Sequence, residues 1–203
     1  MYRLVSKTEV ARTPWLRLIK IEFRHQDKTH FWDAVERVHN GDFEDSTEVV
    51  VVSAIMKSKI NDSVETLLIK QWRPPVGNYT IEFPAGLIDK GEDVETAAAR
   101  ELKEETGYYP CKTLHVSPPL PLSPGLTDER ARLVTFEIDL DDEMNKHPVQ
   151  ELEETEDIEV IKTPIAQLYN TLEKLAADGN LVFSGVYAVA HGILLAQSLN
   201  LTK

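Results

Sequence analysis

Gly86-Leu87-Ile88-Asp89-Lys90-Gly91-Glu92, seven further residues, then Arg100-Glu101-Leu102-Lys103-Glu104-Glu105-Thr106-Gly107-Tyr108 is the stretch on which the fold turns. Asp93 is placed to cap a helix over about 94–106, and Gly107 stands where a helix end favours glycine. At about 100° per residue, Val94, Ala97, Ala98, Glu101 and Glu105 fall on one stripe, with Thr96, Ala99 and Lys103 opposite. The stripe begins apolar and ends in carboxylates; Glu104 lies beside it. A solvated helix keeps its acids away from its apolar side. Carboxylates turned inward repel one another and lose hydration, and a divalent cation relieves both costs. Oxygen ligands suit Mg²⁺ or Mn²⁺, which keep waters and recruit phosphates. Such an ion polarises a pyrophosphate and lowers the pKa of a bound water. Arg100 is expected to pair with Glu92, tying the loop to the helix and leaving the other acids free for metal. Gly86 and Gly91 allow close backbone approach or positive φ. A lone Glu-Glu would mean only a charged surface helix with i,i+4 pairs. Here seven fixed identities recur at fixed spacing. A chance match is on the order of one in a hundred thousand or rarer.

Strand patterns flank this segment. Residues 1–45 read as an N-terminal module of strands. Leu16–Phe23 alternates, His30–Val38 looks like its partner, and Gln26-Asp27-Lys28 turns between them. Residues 41–46 read as a linker to a second domain, 46–203. Val49–Ile55 is a continuous β-branched run suited to a doubly covered central strand. Val64–Gln71 follows after a turn at Asn61-Asp62-Ser63, and Pro74–Asn78 breaks the sheet. Beyond the helix come a Pro-rich loop (117–125), a strand (132–138), an acidic loop (141–157) and two helices, about 164–177 and 185–199. Strands on both sides of a helix suggest an α/β sandwich.

The chain has 203 residues, enough for one domain plus a small appendage. Its net charge of -12 repels phosphate backbones, so a nucleic-acid polymer is not expected as partner. No run approaches the roughly 20 apolar residues that span a bilayer, and the first residues lack a signal-peptide pattern, so no membrane association is expected. Cys111 is the only cysteine, which excludes an intrachain disulfide and fits a reducing compartment, the cytoplasm or the nucleus.

The segment 86–108 resembles the Nudix box, with every fixed identity present and Tyr108 at the last position, where an aliphatic residue is usual. The resemblance implies a Nudix α/β/α sandwich with a mixed sheet. It also implies Mg²⁺-dependent cleavage of a nucleoside diphosphate linked to another moiety. Gln71-Trp72-Arg73-Pro74-Pro75, Ile81–Asp89 and Pro124, sixteen residues past Tyr108, are similar to the ADP-ribose/ADP-sugar pyrophosphatase branch, nearest to its eukaryotic homodimers with exchanged N-terminal strands. That resemblance implies hydrolysis of ADP-ribose to AMP and ribose 5-phosphate. Another ADP-sugar, an oxidised nucleotide or a non-catalytic nucleotide sensor are the alternatives.

By resemblance, Glu101, Glu105 and the Ala85 carbonyl ligate Mg²⁺, with Mn²⁺ able to substitute, and Glu104 is a ligand or nearby base. Gly86 lies against the substrate. Arg73 and Arg37 meet phosphate, Trp32 and Trp15 stack on adenine, and Glu82 touches the base or ribose region. Glu156 assists water, with Glu153, Glu154 and Glu159 as competitors. Stacking contributes roughly 1–3 kcal/mol per base. Alternation sends Phe31 and Trp32 to opposite faces, so one can be core; Trp15 can equally be core. By the same logic Trp72 reads as core and Arg73 as site. His191 and Cys111 read as structural, as does most of the last helix.

Overall fold

The local sequence rules are visible first in the N-terminal hairpin. The computed structural model describes residues 1–38, 48–60 and 63–201. Strands β1 (Arg3–Arg12), β2 (Leu16–His25) and β3 (Lys28–Arg37) form an antiparallel sheet in that order. Gln26 and Asp27 both have positive φ, 50° and 61°, giving the two-residue turn whose twist suits a tight hairpin. Packing divides the chain into two units; the first holds residues 1–49 and 118–132. Within it the Val35 N–H donates to the Leu126 carbonyl at 2.8 Å. Only Ile19, Ala34 and Glu36 of this sheet are buried. The Glu36 carboxylate is held by Lys7 and Arg17, each at 2.5 Å. β1 had no separate sequence signature: Arg3, Lys7, Glu9 and Arg12 interrupt its apolar pattern, and all ten of its residues are exposed. The expected linker (41–46), the domain boundary at 45/46 and Asn61-Asp62 of the expected turn lie outside the described residues.

The second unit holds residues 50–117 and 133–203. Along the chain after β3, the elements are β4 (Glu48–Lys57), β5 (Glu65–Arg73), β6 (Asn78–Glu82), β7 (Ala85–Leu87), α1 (Val94–Thr106) and β8 (Lys112–Val116). After the two-residue β9 (Leu120–Pro121) come β10 (Arg130–Asp139), β11 (Ile158–Pro164), α2 (Leu168–Ala177), β12 (Leu181–Val182) and α3 (Ser184–Ser198). The sheet order is β12-β6-β5-β4-β10-β8, with β11 also on β5, β7 on β4 and β9 on β10. β12 joins β6 in parallel and β11 joins β5 antiparallel, so the sheet is mixed.

Two apolar layers clothe it. Val50, Val52, Ala54, Met56 and Leu67 pack with Ala97, Ala98 and Leu102 of α1. Leu68 and Ile81 pack on the other face with Leu168 and Leu172 of α2 and Val186 and Ala190 of α3. This is the α/β/α sandwich that the box implied. The strand covered on both faces is β5, with Thr66–Ile69 buried consecutively; β4 instead alternates between full and partial burial. α3 is less enclosed than its apolar sequence suggested, since only Val186 and Ala190 are buried.

Candidate active site

The helix that carries the carboxylates is fixed at both ends. Asp93 accepts from the Glu95 and Thr96 N–H groups at 3.1 and 3.0 Å. Gly107 sits at φ 76° and donates to the Lys103 carbonyl at 2.7 Å. A Cβ there would collide with the Val149 backbone, so glycine is required. Between these caps the inward stripe is as expected: Ala97 and Ala98 are fully buried, and Glu105 is 3% exposed.

Glu105 accepts from the Ala85 N–H at 2.9 Å. Burial pushes its carboxyl up to about 8; the Ala85 bond and Arg73 oppose this, and the charges of Glu101 and Glu156 add to it. Glu101 is raised for the same first reason, burial, with Arg100 opposing. It packs so close to Gly86 that a Cβ at Gly86 would strike its carboxylate.

Arg100 departs from expectation. It does grip Glu92, at 3.0 and 2.9 Å, and the Leu87 carbonyl at 2.9 Å. Yet Nη1 also donates to Glu101 at 2.7 Å and Glu104 at 3.1 Å, so those acids are not left free. A guanidinium carries five donors in a fork, and one such group reaches all three carboxylates. Among the described residues no three His, Cys, Asp or Glu side chains stand together as a ready metal cage. The donor set still fits a hard divalent ion. Glu101 and Glu105 are oxygen donors whose charged forms are disfavoured by burial, and the missing Cβ at Gly86 is what admits the Glu101 carboxylate.

Arg73 and Glu82 occupy one another through two bonds of 2.9 Å. Thr80 Oγ1 also donates to Glu82. Burial raises the Glu82 carboxyl, but the bonds from Arg73 and Thr80 outweigh it and the net shift is downward. The acidic loop is pinned to the end of α1. The Glu151 N–H donates to the Glu104 carbonyl at 2.8 Å, and Gln150 Nε2 donates to the Glu105 and Ile158 carbonyls at 2.6 and 3.0 Å. Glu156 is thereby half-buried, and its charge bears on Glu101, Glu105 and Arg73. Glu153, Glu154 and Glu159 are exposed, and Glu159 pairs with Lys70 at 3.4 Å. Gln150 escaped the sequence reading because a glutamine in an acidic loop carries no periodic signal.

In the N-terminal unit, Trp32 Nε1 donates to the Gly125 carbonyl at 3.0 Å and Arg37 Nε to Glu129 at 2.8 Å. The exposed Pro124 stands in the adjoining turn, where the Leu126 and Thr127 N–H groups return to the Ser123 carbonyl. Several core readings are corrected. Trp15, Phe31 and Trp32 are 77%, 61% and 53% exposed, so the core alternative fails for each. Trp72 is 47% exposed and packs only its edge against Tyr79, 5.4 Å between ring centres. It lies near the end of β5, on the α2/α3 face of the strand but outside the apolar cluster there. His191 is exposed beside the Tyr169 and Tyr187 rings rather than packed inside. Cys111 is exposed, with Sγ 3.2 Å from the Glu137 carbonyl.

Residues 47–182 match the family model of the NUDIX domain. An ADP-ribose pyrophosphatase of Saccharomyces cerevisiae is 38% identical over 95% of this chain and 83% of its own length. An ADP-sugar pyrophosphatase of Mus musculus is 34% identical over 96% of this chain and 88% of its own. A solved structure described as an ADP compounds hydrolase superposes with a TM-score of 0.68 at 21% identity, over 97% of this chain and 95% of that one, and shows the same fold. With its box intact on a capped helix and relatives aligned over nearly all its length, the chain belongs to the NUDIX family of hydrolases.

Proposed function

We propose that this enzyme hydrolyses the pyrophosphate bond of ADP-ribose and related ADP-sugars, giving AMP and a sugar phosphate, with Mg²⁺ as resident ion. The observation that carries the reading is the inward pair at the end of α1: Glu105 buried against the Ala85 N–H and Glu101 lodged against Gly86. The activities named for the yeast and mouse relatives supply the nucleoside and the sugar.

Glu101, Glu105 and the Ala85 carbonyl would hold the ion, with Glu104 joining them or acting as a nearby base. Bound there, Mg²⁺ or Mn²⁺ supplies charge neutralisation for the diphosphate and a more acidic water. Glu156, whose charge already reaches Glu101 and Glu105, would accept the proton of the attacking water. Arg73 would leave Glu82 for a phosphate oxygen, and Glu82 would then face the ribose. Arg37 would meet phosphate, Trp32 and Trp15 would stack on adenine, and Gly86 and Pro124 would each contact substrate.

A homodimer joined through the N-terminal strands is part of the same proposal. The wholly exposed β1, with Tyr2, Leu4, Val5 and Val10 uncovered, supports it. The net charge of -12 disfavours nucleic acid as partner, no helix among the described residues is long and apolar enough to cross a membrane, and we place the enzyme in the cytoplasm or nucleus. The test is an assay of ADP-ribose, other ADP-sugars and oxidised nucleoside diphosphates with Mg²⁺. ADP-ribose should release AMP and ribose 5-phosphate with the highest kcat/KM; a protein that binds ADP-ribose but releases no AMP would overturn the reading.

A further inference from the structure

Among the described residues of the second unit, Gln71 carries the one buried side-chain polar atom that lacks a hydrogen-bond partner. It is 8% exposed, and its Nε2 is fully shielded from solvent yet has no acceptor. A buried amide donor without a partner carries a desolvation cost that an apolar group of the same shape would not. Such a cost persists where function needs it.

The sheet register shows what shields it. Gln71 lies opposite Thr80 on β6 and Ile158 on β11. Leu67, four residues earlier and therefore on the same face, packs against Ala97, Ala98 and Leu102 of α1. Arg73 is on that face two residues later, opposite Asn78, while Glu82 is opposite Ile69. The Arg73–Glu82 ion pair therefore spans diagonally across the Gln71–Thr80 position. Thr80 Oγ1 donates to Glu82 and each Glu82 oxygen accepts from Arg73, and none of these oxygens accepts from Gln71 while the ion pair is formed. Gln71 Nε2 remains an unpartnered donor at this position. It is a diagonal neighbour of Glu82, within the range that long side chains bridge across adjacent strands.

We infer that Gln71 is a positioning residue: when Arg73 turns from Glu82 to a diphosphate, Gln71 Nε2 donates to the vacated Glu82 carboxylate. Without it, freeing Arg73 would leave a mostly buried carboxylate, 14% exposed, with Thr80 as its one remaining side-chain donor from the protein. With it, the cost of an idle donor in the free protein is exchanged for a satisfied bond in the complex. The inference rests on the proposal that Arg73 serves phosphate, but not on which nucleoside diphosphate derivative is cleaved.

The experiment is calorimetric titration with inorganic pyrophosphate in Mg²⁺, with thermal melts of the free protein, on wild type, Gln71→Met, Glu82→Gln and the double variant. Gln71→Met should leave the melting temperature unchanged or raised and weaken pyrophosphate binding by roughly tenfold. In the Glu82→Gln background, which removes the charge Gln71 would serve, the same substitution should cost at most about twofold. A lower melting temperature with unchanged binding would make Gln71 a purely structural residue and overturn the inference. Equal losses in both backgrounds, or a wild type that does not bind pyrophosphate, would overturn it too. A wild type that binds pyrophosphate but leaves ADP-ribose intact would sink only the substrate assignment.

Discussion

Glu105 concentrates the energetics of the site in one carboxyl group. Its pKa, pushed up to about 8, lies above the ordinary carboxylate range of the unfolded chain. The sign follows directly. Below the ordinary range both states are protonated and the group contributes nothing. As pH rises towards 8 the unfolded chain gives up the proton while the folded one must keep it, so metal-free stability falls, by a few kcal/mol at most. Glu105→Gln removes this term and keeps an acceptor for the Ala85 N–H. In melts with chelator, its advantage over wild type should therefore grow between pH 5 and pH 8, while its turnover with Mg²⁺ falls at least about a hundredfold. A constant difference across that range would mean that the carboxyl ionises normally. Trp32 belongs to the same scale and acts differently. Its exposed ring would contribute uniform binding, so Trp32→Ala should raise KM several-fold more than it lowers kcat. Steady-state kinetics in which only kcat changed would exclude a stacking role.

At the scale of elements, α1 and the tight strand β7 work as a pair. Gly86 on β7 is small because the Glu101 carboxylate occupies the space a Cβ would take. Gly86→Ala should leave the folding stability within about 1 kcal/mol of wild type and still displace Glu101, reducing kcat by one to two orders of magnitude. Wild-type kcat would show that the close approach is incidental. This element was also the most legible in the sequence, because its signals are local: the Asp93 cap, the Gly107 turn and the 3.6-residue stripe lie within fifteen residues. Less could be read where long-range contacts decide. β6 and β7 are too short to show a period, and β1 is masked by its charges. Trp72 looked like core from alternation alone, but alternation gives a face and not how far along it the cover extends. The pairing of Arg73 with Glu82 follows from strand register, and the sharing of Arg100 among three carboxylates from packing; neither is a property of spacing in the chain.

At the scale of the whole molecule, the two units carry opposite accounts of their apolar surface. The second unit builds two buried apolar layers, with α1 on one face of the sheet and α2 with α3 on the other. The first leaves Tyr2, Leu4, Val5, Val10, Trp15, Phe31 and Trp32 exposed. A second copy of the chain is the cover proposed for β1. Sedimentation should give a species of twice the 23.0 kDa chain mass, and deletion of residues 1–12 should convert it to monomer. A wild-type monomer at micromolar concentration would contradict that arrangement.

The chemistry depends on carboxylates that face inward and accept a divalent ion there. Mn²⁺ binding followed by electron paramagnetic resonance, on wild type, Glu101→Gln and Glu105→Gln, tests this without reference to any substrate. Both substitutions should weaken the wild-type site at least about tenfold with the melting temperature maintained; three superimposable isotherms would contradict it.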